Sequence, residues 1–354
     1  MKVLHLPTSV GGMSWGLAQG ERRLGLDSKV LVTTNNWLNY PCDFSLGWEK
    51  KGNIAKLLSA VQTMVEINGK YDVLHFNFGT TLIHAPSLHM YHWDLHYYGR
   101  DKKIVFTYNG CDARLKYESM KLYDITCCRE SECYGGNCNS GKLDAQRKKS
   151  IAVASKYADH IFAVNPDLLN FLPREKTTFL PYAVASWYQM ERCTSDYRDR
   201  RIRIAHSPTN RAVKGSGYIL KALENLQTKY DIDLLLVEGV SNSEAIEMYR
   251  SADLVIDQVL AGWYGGFAVE VMKMGKPVAV YIREEDLKYI PEEMSRDLRD
   301  AVININPYNI SEVLDTYLQN RDLLKQKSDA GYDYALKWHD PEYVASITRQ
   351  VYEN

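Results

Sequence analysis

Nowhere does this 354-residue sequence reach the run of roughly 18 apolar residues that crossing a bilayer requires, so it reads as a chain with no membrane-spanning helix. It lacks an excess of either charge. With 43 Lys and Arg against 44 Asp and Glu, the formal net charge is -1, and there is no electrostatic case for nucleic acid. The opening Met-Lys-Val-Leu-His-Leu-Pro reaches no small-residue cleavage site, which argues for a first buried strand and a cytoplasmic chain rather than a secretion signal. Low-complexity tracts and short-period repeats are missing, which excludes a solenoid. So is a G-x-G-x-x-G fingerprint, which disfavours a nicotinamide dinucleotide site.

What is present is the composition of a globular enzyme, 45% hydrophobic and 25% charged, at a length that favours two domains. Short apolar runs bounded by Gly, Asn, Asp or Pro predict strands at 2–7, 28–33, 71–77, 103–108 and 160–165. A second set follows at 201–206, 233–237, 254–258, 277–282 and 301–305, with helices between, among them 216–229, 243–250 and 267–274. Continuous apolar runs mean that both sheet faces are covered, as in parallel sheets flanked by helices. The expected class is α/β: two Rossmann-like, doubly wound domains facing a cleft. Pro181 to Arg200, with Asp196, Arg198, Asp199 and Arg200, reads as a linker, and Asp340-Pro341 starts a final helix.

Such sheets bind ligands at the C-terminal ends of their strands. In the first half, Gly11-Gly12 follows a strand and precedes a helix, a place where backbone approaches an anion. His75 and Asn77 end another strand, and Asn109-Gly110-Cys111-Asp112-Ala113-Arg114 a third. Asn109 and Asp112 are candidates for sugar hydroxyls. Arg114 suits either a phosphate or an internal pair with Asp112. In the second half, Arg211, Lys214 and Gly215 lie at a strand-to-helix junction that suits a diphosphate. The strongest local signal runs from Leu260 to Val278: Gly265-Gly266 opens a helix carrying Phe267 and, one turn in, Glu270, a carboxylate placed to take ribose hydroxyls.

These loops, in this order, resemble the retaining glycosyltransferases of family 4, which have the GT-B fold. The resemblance implies that Arg211 and Lys214 bind the donor diphosphate, that Glu270 binds the ribose, and that backbone near Glu238, Gly239 and Val240 contacts the base. It implies transfer with retention and without a catalytic metal, the leaving group being neutralised by Arg211, Lys214 and amides at Gly12, Gly265 and Gly266. It also implies an N-terminal acceptor domain over 1–183, a nucleotide-sugar domain over 200–338, and a helix from 339 to 354 returning to the first domain. Two departures stand out. The family's first Glu, eight positions before Glu270, falls on Gly262, so Trp263, Tyr264 and Gly265 are expected to take over contacts to the transferred sugar. Where the family often has His, this chain has Asn109, which cannot titrate, leaving His75 as a polar partner.

Five of the seven Cys lie between Cys111 and Cys138, in an insertion assigned to the first domain. Cys111, Cys128, Cys133 and Cys138, with Cys127 as substitute, could close a structural zinc site; reduced thiols and a disulfide stay open, because the ligand spacing is not the C-x2-C of zinc knuckles. The expected partners are a UDP- or GDP-sugar and a glycan, lipid-linked or small-molecule acceptor, as in polysaccharide or glycoconjugate synthesis. The basic clusters at 142–149 and 198–203 leave open a contact with anionic lipid at the inner face of a membrane. A nucleotide-sugar 2-epimerase and an inactive sugar-nucleotide-binding relative are the rival readings.

Overall fold

The computed structural model describes residues 1–35, 40–99, 101–195, 197, 201–240 and 242–354. Asp196, Arg198, Asp199 and Arg200 of the expected linker lie outside these residues. The chain divides into two compact units. The first comprises Met1–Leu115, Lys142–Trp187 and His339–Asn354, the second Lys116–Gly141 and Tyr188–Trp338.

Strands β1 to β7 are Lys2–Leu6, Asp27–Val32, Phe44–Ser45, Val73–Asn77, Lys103–Tyr108, His160–Ala163 and Thr177–Phe179; β8 to β12 are Ile202–His206, Ile232–Leu236, Leu254–Ile256, Val278–Val280 and Val302–Asn304. Helices α1 to α6 are Met13–Arg23, Asn53–Asn68, Lys116–Leu122, Lys142–Tyr157, Arg211–Lys214 and Ser216–Leu226; α7 to α12 are Asn242–Ser251, Gly266–Lys273, Glu292–Ala301, Ile310–Gln319, Asp322–Trp338 and Pro341–Glu353. Among the described residues, no helix is long and apolar enough to cross a membrane.

In the first unit the strand order is β3-β2-β1-β4-β5-β6-β7, and every pair is parallel. Val3, Leu4, Val105, Phe106, Ile161 and Phe162 are fully buried, as strands covered on both faces demand. The last helix belongs here. Asp340 caps α12 through the Glu342 and Tyr343 amides. Gly20 lets α12 approach α1, because a Cβ there would sit 2.0 Å from the Pro341 carbonyl oxygen. Beneath this contact Glu21 is wholly buried, and it accepts hydrogen bonds from Ser28, Thr348 and Tyr352 and pairs with His5.

In the second unit the order is β12-β11-β10-β8-β9, again all parallel. The cysteine-containing insertion does not stay with the first domain, as expected from the sequence, since Lys116–Gly141 clusters with the second unit. The cause is apolar burial. Cys127 and Cys128 sit in one core with Ile202, Ile204, Leu254 and Ile256, and the Cys127 amide donates to the Leu260 carbonyl at 3.2 Å.

Candidate functional site

Each sheet reverses its strand order once. The crevice at such a reversal, beyond the C-terminal strand ends, is where doubly wound sheets take ligands. In the second unit the reversal lies between β8 and β10, so the loops after these two strands define the site.

The loop after β8 ends in α5. Asn210 caps it by accepting from the Val213 amide at 3.1 Å. Gly215 follows at φ +74°, where a Cβ would press to 2.6 Å from a Val259 methyl. Arg211 and Lys214 therefore project from a short, pinned turn. Arg211 is largely exposed and makes a two-pronged pair with Glu238, at 2.8 and 2.6 Å. Those hydrogen bonds hold the Glu238 carboxyl below its ordinary range. Lys214 is more enclosed and lies 2.5 Å from Asp257, whose side chain is fully buried at the end of β10.

Asp257 also accepts from the Gly265 amide at 2.9 Å, just ahead of α8. An internal carboxylate thus already sits between a lysine and the electropositive start of a helix. It uses one of the three Lys214 donors, so the ammonium can still meet an anion. Asp257 was not picked out from the sequence. Its signal was an acidic residue ending an otherwise apolar strand, opposite a conspicuous lysine. One turn into α8, Glu270 is half-buried beside Tyr249. Burial, followed by the charges of Glu270 and Asp257, pushes the Tyr249 hydroxyl up to about 12. Tyr249 packs its ring on Phe267 at 4.7 Å and shares a 2.8 Å hydrogen bond with Ser207. Gly239 has φ +67° and is exposed, as are the neighbouring Glu238 and, in part, Val240.

Trp263 and Tyr264 are not surface contacts for a sugar. They are 1% and 0% exposed, stack at 4.4 Å, and the Tyr264 hydroxyl bonds that of Tyr334 at 2.7 Å. Their apolar rings fill the core beneath α8. The structure also accounts for Gly262. It has φ +78°, and a Cβ would lie 2.5 Å from the Arg283 guanidinium carbon. Arg283 is itself buried. It pairs with Asp286 at 2.9 Å, donates to the Ile125 carbonyl at 2.8 Å and stacks over Tyr123 at 3.6 Å. The insertion supplies two of these partners, so the space a side chain at Gly262 would need is taken by an arginine that the insertion holds.

In the first unit the reversal lies between β1 and β4. Gly11 and Gly12 follow β1 at φ +62° and +70°, and a Cβ on Gly12 would meet Ala185 at 2.7 Å. Four polar atoms at the ends of β1, β4 and β5 are buried without a hydrogen-bond partner: Ser9 Oγ, Asn77 Oδ1, the Tyr108 hydroxyl and Asn109 Oδ1. Leaving such groups unmet costs about 1–3 kcal/mol each, and a water or a ligand hydroxyl can meet them.

Three candidates do not join them. His75 is fully buried inside β4. Its Nδ1 donates to the Tyr352 oxygen and its Nε2 accepts from Thr107, both at 2.6 Å, and burial holds its pKa well below the usual histidine range. Arg114 is buried and pairs in two-pronged fashion with Asp167 at 2.6 and 2.9 Å. Asp112 spends its carboxylate on the Asn109 and Gly110 amides, shaping the loop rather than facing outward. Burial, partly offset by those amides and by Arg114, pushes its pKa up to about 6.

The expected zinc ligands come from both units of the chain. Cys111 belongs to the first unit while Cys128, Cys133 and Cys138 belong to the second. Among the described residues no group of three or more His, Cys, Asp or Glu is arranged to hold a metal ion.

No family model matches the sequence, and no curated protein matches it. Solved structures do. The chain is similar to sucrose-phosphate synthase from Thermosynechococcus elongatus, at 13% identity over 100% of this chain and 98% of that one, with a TM-score of 0.60. It is similar to Anabaena HepE in complex with UDP and glucose, at 11% identity over 100% of both chains and a TM-score of 0.55. UDP-GlcNAc 2-epimerase from Neisseria meningitidis, bound to UDP-GlcNAc, aligns at 14% identity over 100% of both chains with a TM-score of 0.53. The chain has the GT-B fold. At 11 to 14% identity the likeness is one of fold, and the roles of residues in this GT-B chain rest on their own geometry.

Proposed function

We propose that this chain is a glycosyltransferase that moves a sugar from a nucleoside-diphosphate donor to a hydroxyl acceptor, with retention at the anomeric carbon and without a catalytic metal. One observation carries the reading: Lys214 and the start of α8 converge on a single point at the strand-order reversal of the second unit, with Arg211 on the same turn. A diphosphate there meets the Lys214 ammonium, the amides of Gly265 and Gly266, and Arg211 once Glu238 releases or shares it. As the glycosidic bond breaks, negative charge grows on the leaving diphosphate, and these fixed donors stabilise it without rearranging. Glu270 takes the ribose hydroxyls, and the exposed backbone at 238–240 takes the base. In the first unit, Asn77, Asn109 and Ser9 take acceptor hydroxyls.

The epimerase among the structural neighbours makes a 2-epimerase the second reading. Incubation with a panel of UDP- and GDP-sugars, with and without glycan and lipid-linked acceptors, separates the two. Nucleoside diphosphate with a glycosylated acceptor supports transfer, and NMR of the new anomeric proton reports retention. An isomerised nucleotide-sugar without diphosphate release would replace the transferase by the epimerase. Tight donor binding with no turnover under any condition would leave an inactive relative.

A further inference from the structure

The helix α2 is built inside out. Its inward face is narrow and small, formed by Ala60, Thr63 and Ile67. Its outward face carries Ile54, Leu57, Leu58, Val61 and Val65, which are 79%, 51%, 66%, 40% and 53% exposed. Positions 54, 57, 58, 61 and 65 fall on one side of a helix, so these five form a continuous apolar stripe in water. Soluble surfaces rarely carry such a stripe without something to cover it.

The surroundings say what covers it. From Trp48 to Lys70 there are four Lys (Lys50, Lys51, Lys56, Lys70) against two acids, Glu49 and Glu66, a formal charge of +2. Trp48 and Lys51 both reach Ser59, at 3.3 and 3.4 Å, which holds Lys51 alongside the first half of the helix. Past the other end, Lys70 lies 5.8 Å over the ring of Phe44, itself 43% exposed. There the Gly99 amide donates to Asn68 at 3.4 Å and ties in the turn that carries Trp93 and Tyr97, 55% and 45% exposed. Asp94 fixes that turn by accepting from Thr81, Leu82 and Ile83. An apolar stripe with flanking lysines and amphipathic aromatic rings is the chemistry of a helix lying in a lipid headgroup region. A second copy fits less well, because pairing two such faces sets +2 against +2.

We propose that the outward face of α2, with the Trp93–Tyr97 turn, docks this protein on the surface of an anionic lipid bilayer. The inference stands apart from the transferase reading and requires no turnover. It relocates the lipid contact expected from the basic cluster at 142–149. Those residues lie on or beside α4, which shows no exposed large apolar side chain among the described residues.

The test is flotation of the full chain with vesicles of phosphatidylcholine alone, or of phosphatidylcholine mixed with phosphatidylglycerol, at low and high salt. Binding is expected only to the anionic vesicles and is weakened by salt. Leu57→Gln with Leu58→Gln, and separately Lys50→Glu with Lys51→Glu, are each expected to lower vesicle affinity by about tenfold or more. All four side chains lie outside the core, so thermal unfolding should match the parent chain. Were the leucine variant to unfold, the lysine variant and Trp93→Ala carry the test. Equal flotation of parent and both sets of variants, or none with anionic vesicles, overturns the proposal. So does a dimer by light scattering that Leu58→Gln converts to monomer, which would assign the stripe to a second copy.

Discussion

The two strand-order reversals of this molecule are topological equivalents with opposite chemistry. The one in the second unit is lined with charge that is already paired: Lys214 with Asp257, and Arg211 with Glu238. The one in the first unit is lined with neutral groups left unmet, Ser9, Asn77, Tyr108 and Asn109. A polar site that is charged and internally balanced suits an anion, which exchanges one set of partners for another. A neutral site with unsatisfied acceptors suits hydroxyls, which bring the missing protons. The two reversals share a backbone arrangement and differ in the residues that end each strand.

The sharpest way to break this contrast is to remove the lysine. Lys214→Ala should lower turnover by about 10²–10³-fold, the size of losing one fixed donor to a developing oxyanion. Because the single change strands a buried Asp257, the double variant Lys214→Ala, Asp257→Asn should regain stability while staying slow. Asn109→Ala should cost only about tenfold and act mainly through the acceptor KM. An Asn109→Ala loss equal to that of Lys214→Ala, with acceptor KM unchanged, would erase the division.

Next in size, Gly262→Glu puts a carboxylate next to the charged reversal. It should destabilise by about 2–4 kcal/mol, since a left-handed residue with a side chain must also displace Arg283. Urea unfolding measures this, and adding Arg283→Ala should recover part of the loss. Tyr352→Phe tests whether His75 is sealed from the neutral reversal. It should cost about 1–3 kcal/mol of stability by stranding His75 and Glu21, with acceptor KM unmoved. The smallest effect concerns Asp112, a titrating neighbour of the neutral site. Its folded pKa of about 6 lies above the ordinary carboxylate range, so the folded state holds the extra proton. The resulting stabilisation is complete below the unfolded pKa and fades as pH rises through about 6. Asp112→Asn should flatten the stability-versus-pH curve between those limits.

Much of the fold could be read from apolar runs. The ten strands expected from the sequence all occur, with ends that differ by at most two residues. Strands β3 and β7 escaped notice because Phe44–Ser45 and Thr177–Phe179 are short, mixed segments at sheet edges, where burial imposes no pattern. At the site, strand-to-helix junctions exposed Arg211, Lys214, Gly265 and Glu270, since charge and glycine at such junctions are local signals. What escaped was pairing across long sequence distances. Arg114 meets Asp167, His75 meets Tyr352, and Arg283 meets the 123–125 segment. The glycine at 262 put the expected sugar contacts on Trp263 and Tyr264, but ring size made them core. No periodicity separates those two outcomes.

The way α12 closes the first unit sets an order of assembly. Glu21 and His75 lie in the first quarter of the chain, yet Thr348 and Tyr352 complete their hydrogen bonds. On a ribosome, the first unit begun is therefore the last one finished. Until α12 emerges, its sheet holds a buried carboxylate and imidazole with bonds unmade, while the second unit can mature with every residue it needs already made.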